Sequence, residues 1–277
     1  MSGGAEVDGG RATAETGRVR VAAGGPAPAK GRVALVTGAS SGIGAATAAA
    51  LARRGYRVVV QGRDERTLAE VATKVAGVPV CADLSRAREV ERLAERALEV
   101  GGGRVDILVN NAGVGWMGAF DAMPTETVGQ LLAVDLAAPI ALTRALVPGM
   151  RERGFGRVVF VGSIAGRLGV GGEAVYAGAK AGLDCFAESI RGELRGTGVA
   201  VSVVVPGVVA TPFFERRGEP YTRRWPRPVP AGRVADAVVR CVEGGAAEAY
   251  VPRWLRVPVV TRAVAPGVYR WLAGRFG

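Results

Sequence analysis

Short runs rich in β-branched residues alternate with longer segments rich in Ala, Leu and Arg from Gly31 onward, and this alternation constrains the fold more than any other feature. Six runs are continuously apolar, as buried parallel strands are: 32–37, 57–61, 78–82, 105–110, 157–162 and 199–205. Helical patterns occupy 43–54, 65–75, 86–99, 125–150, 174–196 and 232–243, and a last strand is predicted at 247–251.

This order predicts an α/β fold with a doubly wound, mainly parallel seven-stranded sheet and helices on both faces. Right-handed crossovers make a Rossmann-type strand order the simplest topology, and ligands then bind at the carboxyl ends of the strands. We expect one domain over 31–251 and an extension over 252–277. Residues 1–30 are rich in Gly, Ala and Pro without apolar periodicity, which predicts a flexible tail.

The chain contains no histidine, so Ser-His-Asp hydrolysis, Cys-His proteolysis and His-ligated metal chemistry are excluded for this chain alone. Its three cysteines, Cys81, Cys185 and Cys241, are far apart and odd in number, which indicates neither a disulfide framework nor a C-x-x-C site. The longest apolar run before Gly31 is Val21-Ala22-Ala23, too short for a secretion signal. A reducing, cytoplasmic location is expected.

A glycine-rich turn follows the first strand and runs directly into a helical pattern. In the segment TGASSGIG, Gly38 permits a tight turn, Gly42 lets the backbone approach a pyrophosphate, and Gly44 allows close helix packing. The free N–H groups at the helix start then face the anion. We therefore predict dinucleotide binding by this turn, with these candidate residues: Gly38, Ser40, Ser41, Gly42, Ile43 and Gly44.

The end of the second strand bears on the choice of dinucleotide. An acidic residue there would bind the ribose of NAD and repel a 2′-phosphate. This chain has Gly62 followed by Arg63, which favours NADP because a guanidinium binds phosphate well, while NAD stays possible. The alternative is that Arg63 is a solvated turn residue and Asp64 only caps the next helix.

Tyr176 and Lys180 are four residues apart in a helical pattern, and Ser163 follows the fifth strand. With TGASSGIG, NNAG and Pro206-Gly207, this set resembles the short-chain dehydrogenase/reductase family over about residues 31–251. The resemblance implies hydride transfer between a nicotinamide and a ketone or secondary alcohol. Tyr176 would exchange the proton, Ser163 would orient the oxygen, and Lys180 would lower the pKa of the phenol.

The same resemblance implies further cofactor contacts: Asp83, Leu84, Asn110, Ala112, Gly113, Tyr176, Lys180, Pro206, Gly207, Val209 and Thr211. Asp83 would approach the adenine and Thr211 the nicotinamide amide or pyrophosphate. Two alternatives stay open, because Asp83 is also suited to cap the following helix and Asn110 and Asn111 are suited to structural roles.

Asp135 departs from the family, which usually has Asn at that position. The resemblance implies that the backbone there holds a water beside the lysine, and Asp135 can preserve this function. Its carboxylate is expected to raise the pKa of Lys180 or to cancel part of its field at Tyr176, so Asp135 is a candidate catalytic residue. We expect activity to be retained.

The variable substrate loop is predicted over 207–230, where aromatic residues and arginines suit an apolar or lipid-like alcohol or ketone. The same residues are also suited to packing the loop on the sheet. The rival function is a non-catalytic dinucleotide-binding redox sensor or scaffold. No nucleic-acid motif is present, and the family resemblance suggests a homodimer or homotetramer.

The net charge is +11, and most of the excess lies after Thr211, with 12 arginines against five acidic residues. A GC-rich genome would explain the arginines without any anionic partner. Tryptophans and valines alternate with arginines after residue 251, and Pro252, Pro258 and Pro266 are expected to break this extension into short helices. It is suited to a lid, a subunit contact or a peripheral membrane contact, and a disordered tail is the remaining alternative.

Overall fold

The computed structural model describes Met1 and residues 31–276, so residues 2–30 of the predicted tail lie outside the described residues. Its centre is a sheet of seven parallel strands, ordered β3-β2-β1-β4-β5-β6-β9. The strands are β1 Val33–Val36, β2 Arg57–Gly62, β3 Val78–Cys81, β4 Ile107–Asn110, β5 Gly156–Val161, β6 Val199–Pro206 and β9 Glu248–Val251. The predicted doubly wound sheet is confirmed.

The helices cover both faces of the sheet. One face carries α1 Gly42–Ala52, α2 Glu65–Val75 and α9 Ala231–Gly244, whose buried side chains form one apolar cluster with the strands. The other face carries α3 Ala87–Val100, α5 Ala138–Glu152 and α7 Ala174–Glu193, which form a second cluster. The strands β1, β2, β4, β5 and β6 are buried almost throughout, which explains why their sequences are continuously apolar. The prediction of a buried strand at 78–82 is wrong as to burial, because β3 lies at the edge of the sheet and is largely exposed.

The helical pattern predicted over 125–150 is one run with a local irregularity. It consists of α4 Thr125–Leu132, a π-helical turn Ala133–Ala137 and α5. The run Thr125–Glu152 is long and apolar enough to cross a membrane, but Leu142, Leu146 and Met150 on α5 are buried in the core. We therefore assign it as a core helix of the fold.

The segment after β6 lies beside the carboxyl ends of the strands. It contains β7 Val209–Ala210, the short helix α8 Phe213–Arg216 and β8 Val229–Pro230, and β7 pairs with β8. A short helix α6, Ile164–Leu168, follows β5 on the neighbouring side.

The chain continues beyond β9 as a 3-10 turn Arg253–Leu255 and two helices, α10 Arg256–Val264 and α11 Pro266–Phe276. The prediction that Pro258 breaks this segment is wrong, because Pro258 lies in the first turn of α10, where a missing N–H costs no helical hydrogen bond. The guanidinium of Arg262 donates to the carbonyl of Arg167, and the hydroxyl of Tyr269 donates to the carbonyl of Leu168. Both helices are thereby attached to the end of α6.

A buried carboxylate fixes the start of β1 to the start of β4. Asp106 is fully buried, and its Oδ2 accepts a hydrogen bond of 2.9 Å from the N–H of Val33. Arg104 binds the same carboxylate through two nitrogens, at 2.7 and 3.0 Å. The charge is therefore compensated by a cation and a backbone donor, as a buried carboxylate requires.

We predict that Asp106→Ala lowers the free energy of unfolding by about 3 kcal/mol, because the Val33 N–H and the Arg104 guanidinium both lose their acceptor. Urea denaturation followed by circular dichroism measures this change. Glu91→Ala, at an exposed position on α3, is the control and should change stability by less than about 0.5 kcal/mol. Equal effects of the two substitutions would contradict the assigned role of Asp106.

Candidate active site

A cleft of about 910 Å³ opens at the carboxyl ends of the strands. Its lining includes the turn after β1, the end of β2, the segment after β4, the start of α7 and the loop after β6. From β1 the successive strands β2 and β3 are added on one side of the sheet, and from β4 the later strands are added on the other side. Ligands of open α/β sheets bind at the switch point between two such strands. The cleft is therefore where the topology predicts it.

The glycine turn forms one wall of the cleft in a conformation that requires glycine. Gly38 and Gly42 have positive φ angles of 62° and 56°. A Cβ atom on Gly44 would lie 2.2 Å from the carbonyl oxygen of Gly38, so no larger residue fits there. Ser41 makes no side-chain cap, and the first turn of α1 has no acidic residue, so the N–H groups at this helix start are available to a pyrophosphate.

Buried polar side chains hold this turn in place. Gln61 accepts a 3.0 Å hydrogen bond from the N–H of Gly38 and donates a 2.7 Å bond to the carbonyl of Ala82. Asn111 donates to the carbonyl of Thr37 at 2.8 Å, and the Thr37 hydroxyl accepts from the N–H of Asn111 at 3.0 Å. Sequence reasoning missed Gln61, although a glutamine inside a buried apolar strand was a signal that a polar partner lies nearby.

Two of the further predicted contact residues, Asp83 and Asn110, do not line the cleft. Asn110 is buried and donates to the Thr143 hydroxyl at 3.3 Å, so its side chain points toward α5. The carboxylate of Asp83 accepts bonds from the N–H and hydroxyl of Ser85, whereas Leu84 lines the cleft. The remaining predicted residues Ala112, Gly113, Pro206, Gly207, Val209 and Thr211 also line it.

Arg63 lines the cleft beside the end of β2 and is exposed. Burial acts to raise the pKa of Asp83, but the hydrogen bonds from Ser85 and, to a smaller extent, the charges of Arg63 and Arg86 hold it below its ordinary value. Asp64 caps α2 by accepting a 2.7 Å bond from the N–H of Thr67, and this bond lowers the pKa of Asp64. The capping role considered for Asp64 is thus present, and Arg63 stays free to meet a phosphate in the cleft.

Ser163, Tyr176 and Lys180 converge on the floor of the cleft. Ser163 begins α6, and its Oγ accepts a 3.2 Å bond from the N–H of Ala165. Ser163 is also a hydrogen-bond partner of the Tyr176 phenol, which lies in the first turn of α7. The ammonium of Lys180 lies 5.7 Å from the centre of the Tyr176 ring and donates to the carbonyl of Val161 at 3.3 Å.

Asp135 is fully buried and forms an ion pair with Lys180, with Oδ1 and Nζ 3.0 Å apart. Its Oδ2 accepts a 2.9 Å bond from the N–H of Val114. The π-helical turn contains Asp135, as such turns often do at functional sites. A Cβ atom on Gly113 would lie 2.8 Å from Oδ1, so glycine is required at 113 to leave room for the carboxylate.

Burial and charge oppose each other in this group. Burial raises the pKa of Tyr176, the nearby charge of Lys180 lowers it, and the charge of Asp135 raises it further. Burial acts to lower the pKa of Lys180, but the charges of Asp135 and Tyr176 leave that pKa raised. Burial also raises the pKa of Asp135, and Lys180 offsets only part of this shift. The expected influence of Asp135 on Lys180 and Tyr176 is therefore present.

Aromatic side chains surround the part of the cleft that lies next to Tyr176. Phe213 lies 5.5 Å from Tyr176 between ring centres, and Trp116 and Phe214 also line the cleft. Arg217, although it lines the cleft, is buried and paired with Glu173 at the start of α7. This pair fastens the loop after β6 to the helix that carries Tyr176, and no sequence pattern predicts it.

The sequence profile described as short chain dehydrogenase matches residues 32–222. The chain belongs to the short-chain dehydrogenase family. It is 34% identical over 261 residues to the ketoacyl reductase HetN of Nostoc sp., covering 87% of this chain and 89% of that protein. It is 33% identical over 210 residues to the 3-oxoacyl-[acyl-carrier-protein] reductase FabG of Escherichia coli, covering 75% of this chain and 86% of the relative.

Solved structures agree with this assignment. A short-chain dehydrogenase from Sphingobium yanoikuyae in complex with NADPH superposes with a TM-score of 0.76 and 27% identity, covering 85% of this chain and 96% of that one. A metagenomic short-chain oxidoreductase in complex with NADP superposes with a TM-score of 0.68 and 34% identity, covering 80% of this chain and 96% of that one. The chain is thus an oxidoreductase of a Rossmann-fold, NADP-binding family.

We predict that Lys180→Met lowers the free energy of unfolding by about 3 kcal/mol at pH 8, because the buried Asp135 carboxylate loses its cation. Without Lys180, the folded-state pKa of Asp135 rises further above its unfolded value. The stability that a protonated Asp135 provides is then lost as the pH rises through that raised pKa, so the deficit should be smaller at pH 5 than at pH 8. Urea denaturation at both pH values measures it.

The matched control is Lys74→Met, an exposed lysine on α2, which should change stability by less than about 0.5 kcal/mol at either pH. The double variant Asp135→Asn, Lys180→Met should recover part of the loss, because neither of these two positions then carries a buried charge. A deficit that is the same at both pH values, or that the double variant fails to reduce, would contradict the assigned pairing.

Proposed function

We propose that this protein is an NADP-preferring reductase that transfers hydride between the nicotinamide and a ketone or secondary alcohol with an apolar substituent. The single observation that carries this proposal is the joint position of Ser163, Tyr176 and Lys180 on the floor of a cleft whose opposite wall is the glycine turn. A non-catalytic sensor or scaffold has no requirement for this arrangement.

Three residues of the chain act on the carbonyl or hydroxyl oxygen of the substrate, each in a different role. The Ser163 hydroxyl donates a hydrogen bond to that oxygen and fixes its position. The Tyr176 hydroxyl gives the oxygen a proton in reduction and takes one in oxidation. Lys180 stabilises the phenolate that forms, because its ammonium is close and buried. When bound, the nicotinamide supplies the hydride chemistry.

The residues present fit an NADP cofactor. The pyrophosphate would meet the N–H groups of Gly42, Ile43 and Gly44, and the adenine end would meet Leu84 and Arg63. Val209 and Thr211 would contact the nicotinamide end. The NADPH and NADP carried by the two superposed structures support this choice, as does the absence of a carboxylate at Gly62.

The lining of the substrate side supports an apolar ketone. Trp116, Met117, Phe213 and Phe214 present apolar surface around the opening, and the charge of Arg217 is compensated by Glu173. A relative from Rhizobium meliloti, 38% identical, is an acetoacetyl-CoA reductase, which with HetN and FabG suggests a 3-oxoacyl thioester or a ketone of similar shape.

We also propose that the protein forms a homodimer or homotetramer through α4, α5 and α7. Its location is the cytoplasm, and residues 31–251 form its catalytic domain.

The test is a panel of ketones and 3-oxoacyl thioesters of increasing chain length, with NADPH oxidation followed at 340 nm. We expect turnover that improves with chain length. Tyr176→Phe should abolish turnover while NADPH binding, followed by fluorescence, is retained. If wild type binds NADPH but turns over no member of the panel, the sensor or scaffold function replaces the proposed one.

We predict that Arg63→Ala weakens NADPH binding by about 10-fold or more and leaves NADH binding within about twofold. One charge-assisted hydrogen bond to the 2′-phosphate is lost, and NADH has no such phosphate. Parallel fluorescence titrations measure both constants. Arg66→Ala, an exposed arginine one turn further along α2, is the control. Equal weakening of both nucleotides would show that Arg63 does not select the phosphate.

We predict that Asp135→Asn shifts the acidic limb of the pH profile for alcohol oxidation toward lower pH by about one unit. The carboxylate raises the pKa of Tyr176, so its removal lets the phenolate form at lower pH. The asparagine oxygen still accepts from Val114, so the backbone geometry is kept. The logarithm of kcat/KM against pH measures the shift, and a limb that does not move would contradict an electrostatic effect of Asp135.

A further inference from the structure

A surface outside the cleft is unusually apolar. Of the twelve large hydrophobic side chains that are exposed among the described residues, eight lie at Trp225 or within 254–272. We call 221–227 and 253–272 together the C-terminal surface. Trp271 is 64% exposed and Val264 is 79% exposed. A concentration of this kind marks an interaction site rather than ordinary surface.

The exposed residues follow helical spacing. Val257, Val260 and Val264 lie on one face of α10, at intervals of three and four residues. Val268, Trp271 and Leu272 form a similar stripe on α11. The fold covers neither stripe, although α10 and α11 are attached through Arg262 and Tyr269 to the end of α6. The two helices are thus held in place with apolar faces presented outward.

The charge of the C-terminal surface has one sign. Residues 252–277 contain five arginines and no acidic residue, and residues 221–227 contain three arginines and no acidic residue. Arg256 and Arg270 are exposed beside the two apolar stripes. This combination of apolar stripes, tryptophan and arginine is typical of segments that lie in the plane of a membrane interface.

The C-terminal surface adjoins the mouth of the cleft. Trp225, in the substrate loop, stacks on Trp254 with ring centres 5.0 Å apart and an angle of 24° between the planes. Leu255 packs against Gly207, where a Cβ atom would lie 2.9 Å from Leu255 Cδ1. The loop that lines the substrate side and the C-terminal segment are therefore in direct contact.

A second copy of the chain fits this surface poorly. In a symmetric dimer the same patch meets itself, so the arginines of one protomer would face the arginines of the other without compensating carboxylates. A bilayer containing anionic phospholipid supplies both a negative surface and an apolar layer. Each basic residue near such a surface contributes to binding, and tryptophan is suited to the headgroup level.

We propose that the C-terminal surface docks on an anionic phospholipid bilayer and turns the mouth of the cleft toward the lipid. Arg256, Arg270 and the loop arginines contact headgroups, while the stripes of α10 and α11 enter the boundary with the acyl chains. Where the proposed reductase function holds, an apolar ketone reaches the cleft from the bilayer. The docking itself does not depend on that function.

The test uses the full chain with unilamellar vesicles of phosphatidylcholine alone or with one quarter phosphatidylglycerol. Co-sedimentation should show binding to the anionic vesicles that is at least about 10-fold tighter than to neutral ones, and 0.5 M NaCl should abolish the difference. Three of the four tryptophans lie on the C-terminal surface. Lipids brominated near the headgroup should therefore quench most of the tryptophan emission.

Two double variants separate the apolar and charged contributions. Trp271→Ala, Val264→Ser should weaken binding by about 10-fold, and Arg256→Gln, Arg270→Gln should weaken binding to anionic vesicles by about 30-fold. The matched control is Arg88→Gln, Arg92→Gln, which removes the same charge from exposed positions on α3 and should leave binding within about threefold. NADPH affinity, measured in solution, should be unchanged in all three, which separates this test from that of the reductase function.

The proposal is overturned if wild type ignores anionic vesicles at low salt, or if the two surface variants bind as well as the α3 control. It is also overturned if sedimentation velocity shows a dimer that only Trp271→Ala, Val264→Ser dissociates, because a second copy then covers the surface. A third result would also overturn it: wild type binds duplex DNA as tightly as anionic vesicles, and Trp271→Ala, Val264→Ser still binds the DNA. The arginines would then be assigned to nucleic-acid binding.

Discussion

The site depends on one topological constraint, the adjacency of β1 and β4. These strands are parallel neighbours in the sheet, yet the helices that follow them, α1 and the α4–α5 run, cover opposite faces. The chain therefore separates at the carboxyl ends of these strands and leaves a cleft that no helix closes. Thr37 and Asn111 join the two strand ends across the gap. This link keeps the cofactor wall and the floor of the cleft at a fixed separation.

Charge buried inside this frame is arranged so that each charged group has a partner. Asp135 and Lys180 compensate each other beneath the tyrosine, and Glu173 and Arg217 do so at the loop that borders it. Such pairs contribute little net stability, because removing charges from water costs about as much as their attraction returns. These ion pairs instead fix the relative positions of the segments that carry them, since a buried ion pair tolerates few geometries. The loop after β6 and the Tyr176 side chain are consequently held at a fixed position relative to each other.

Much of this molecule is predictable from its sequence because the decisive signals are local. Continuous apolar runs revealed the strands, and the glycine turn and the spacing of Tyr176 and Lys180 are properties of a few adjacent residues. The contacts that could not be predicted are made between distant segments. Asn110 and Asn111 are neighbours, but the pleat of a strand sends them to opposite sides, and only the structure shows that Asn111 holds the turn. Gln61 likewise finds its partners 23 and 21 residues away in the chain.

The attachment of the last helices to α6 also has a consequence for how the protein is made. The carbonyl groups of Arg167 and Leu168 receive their hydrogen bonds from residues 95 and 101 positions later. At about 5 to 20 residues per second, a ribosome delivers those partners roughly 5 to 20 s after α6 itself has been synthesised. During translation, α6, which begins at Ser163, therefore lacks these contacts at first. They form only after every strand of the seven-stranded sheet has been synthesised.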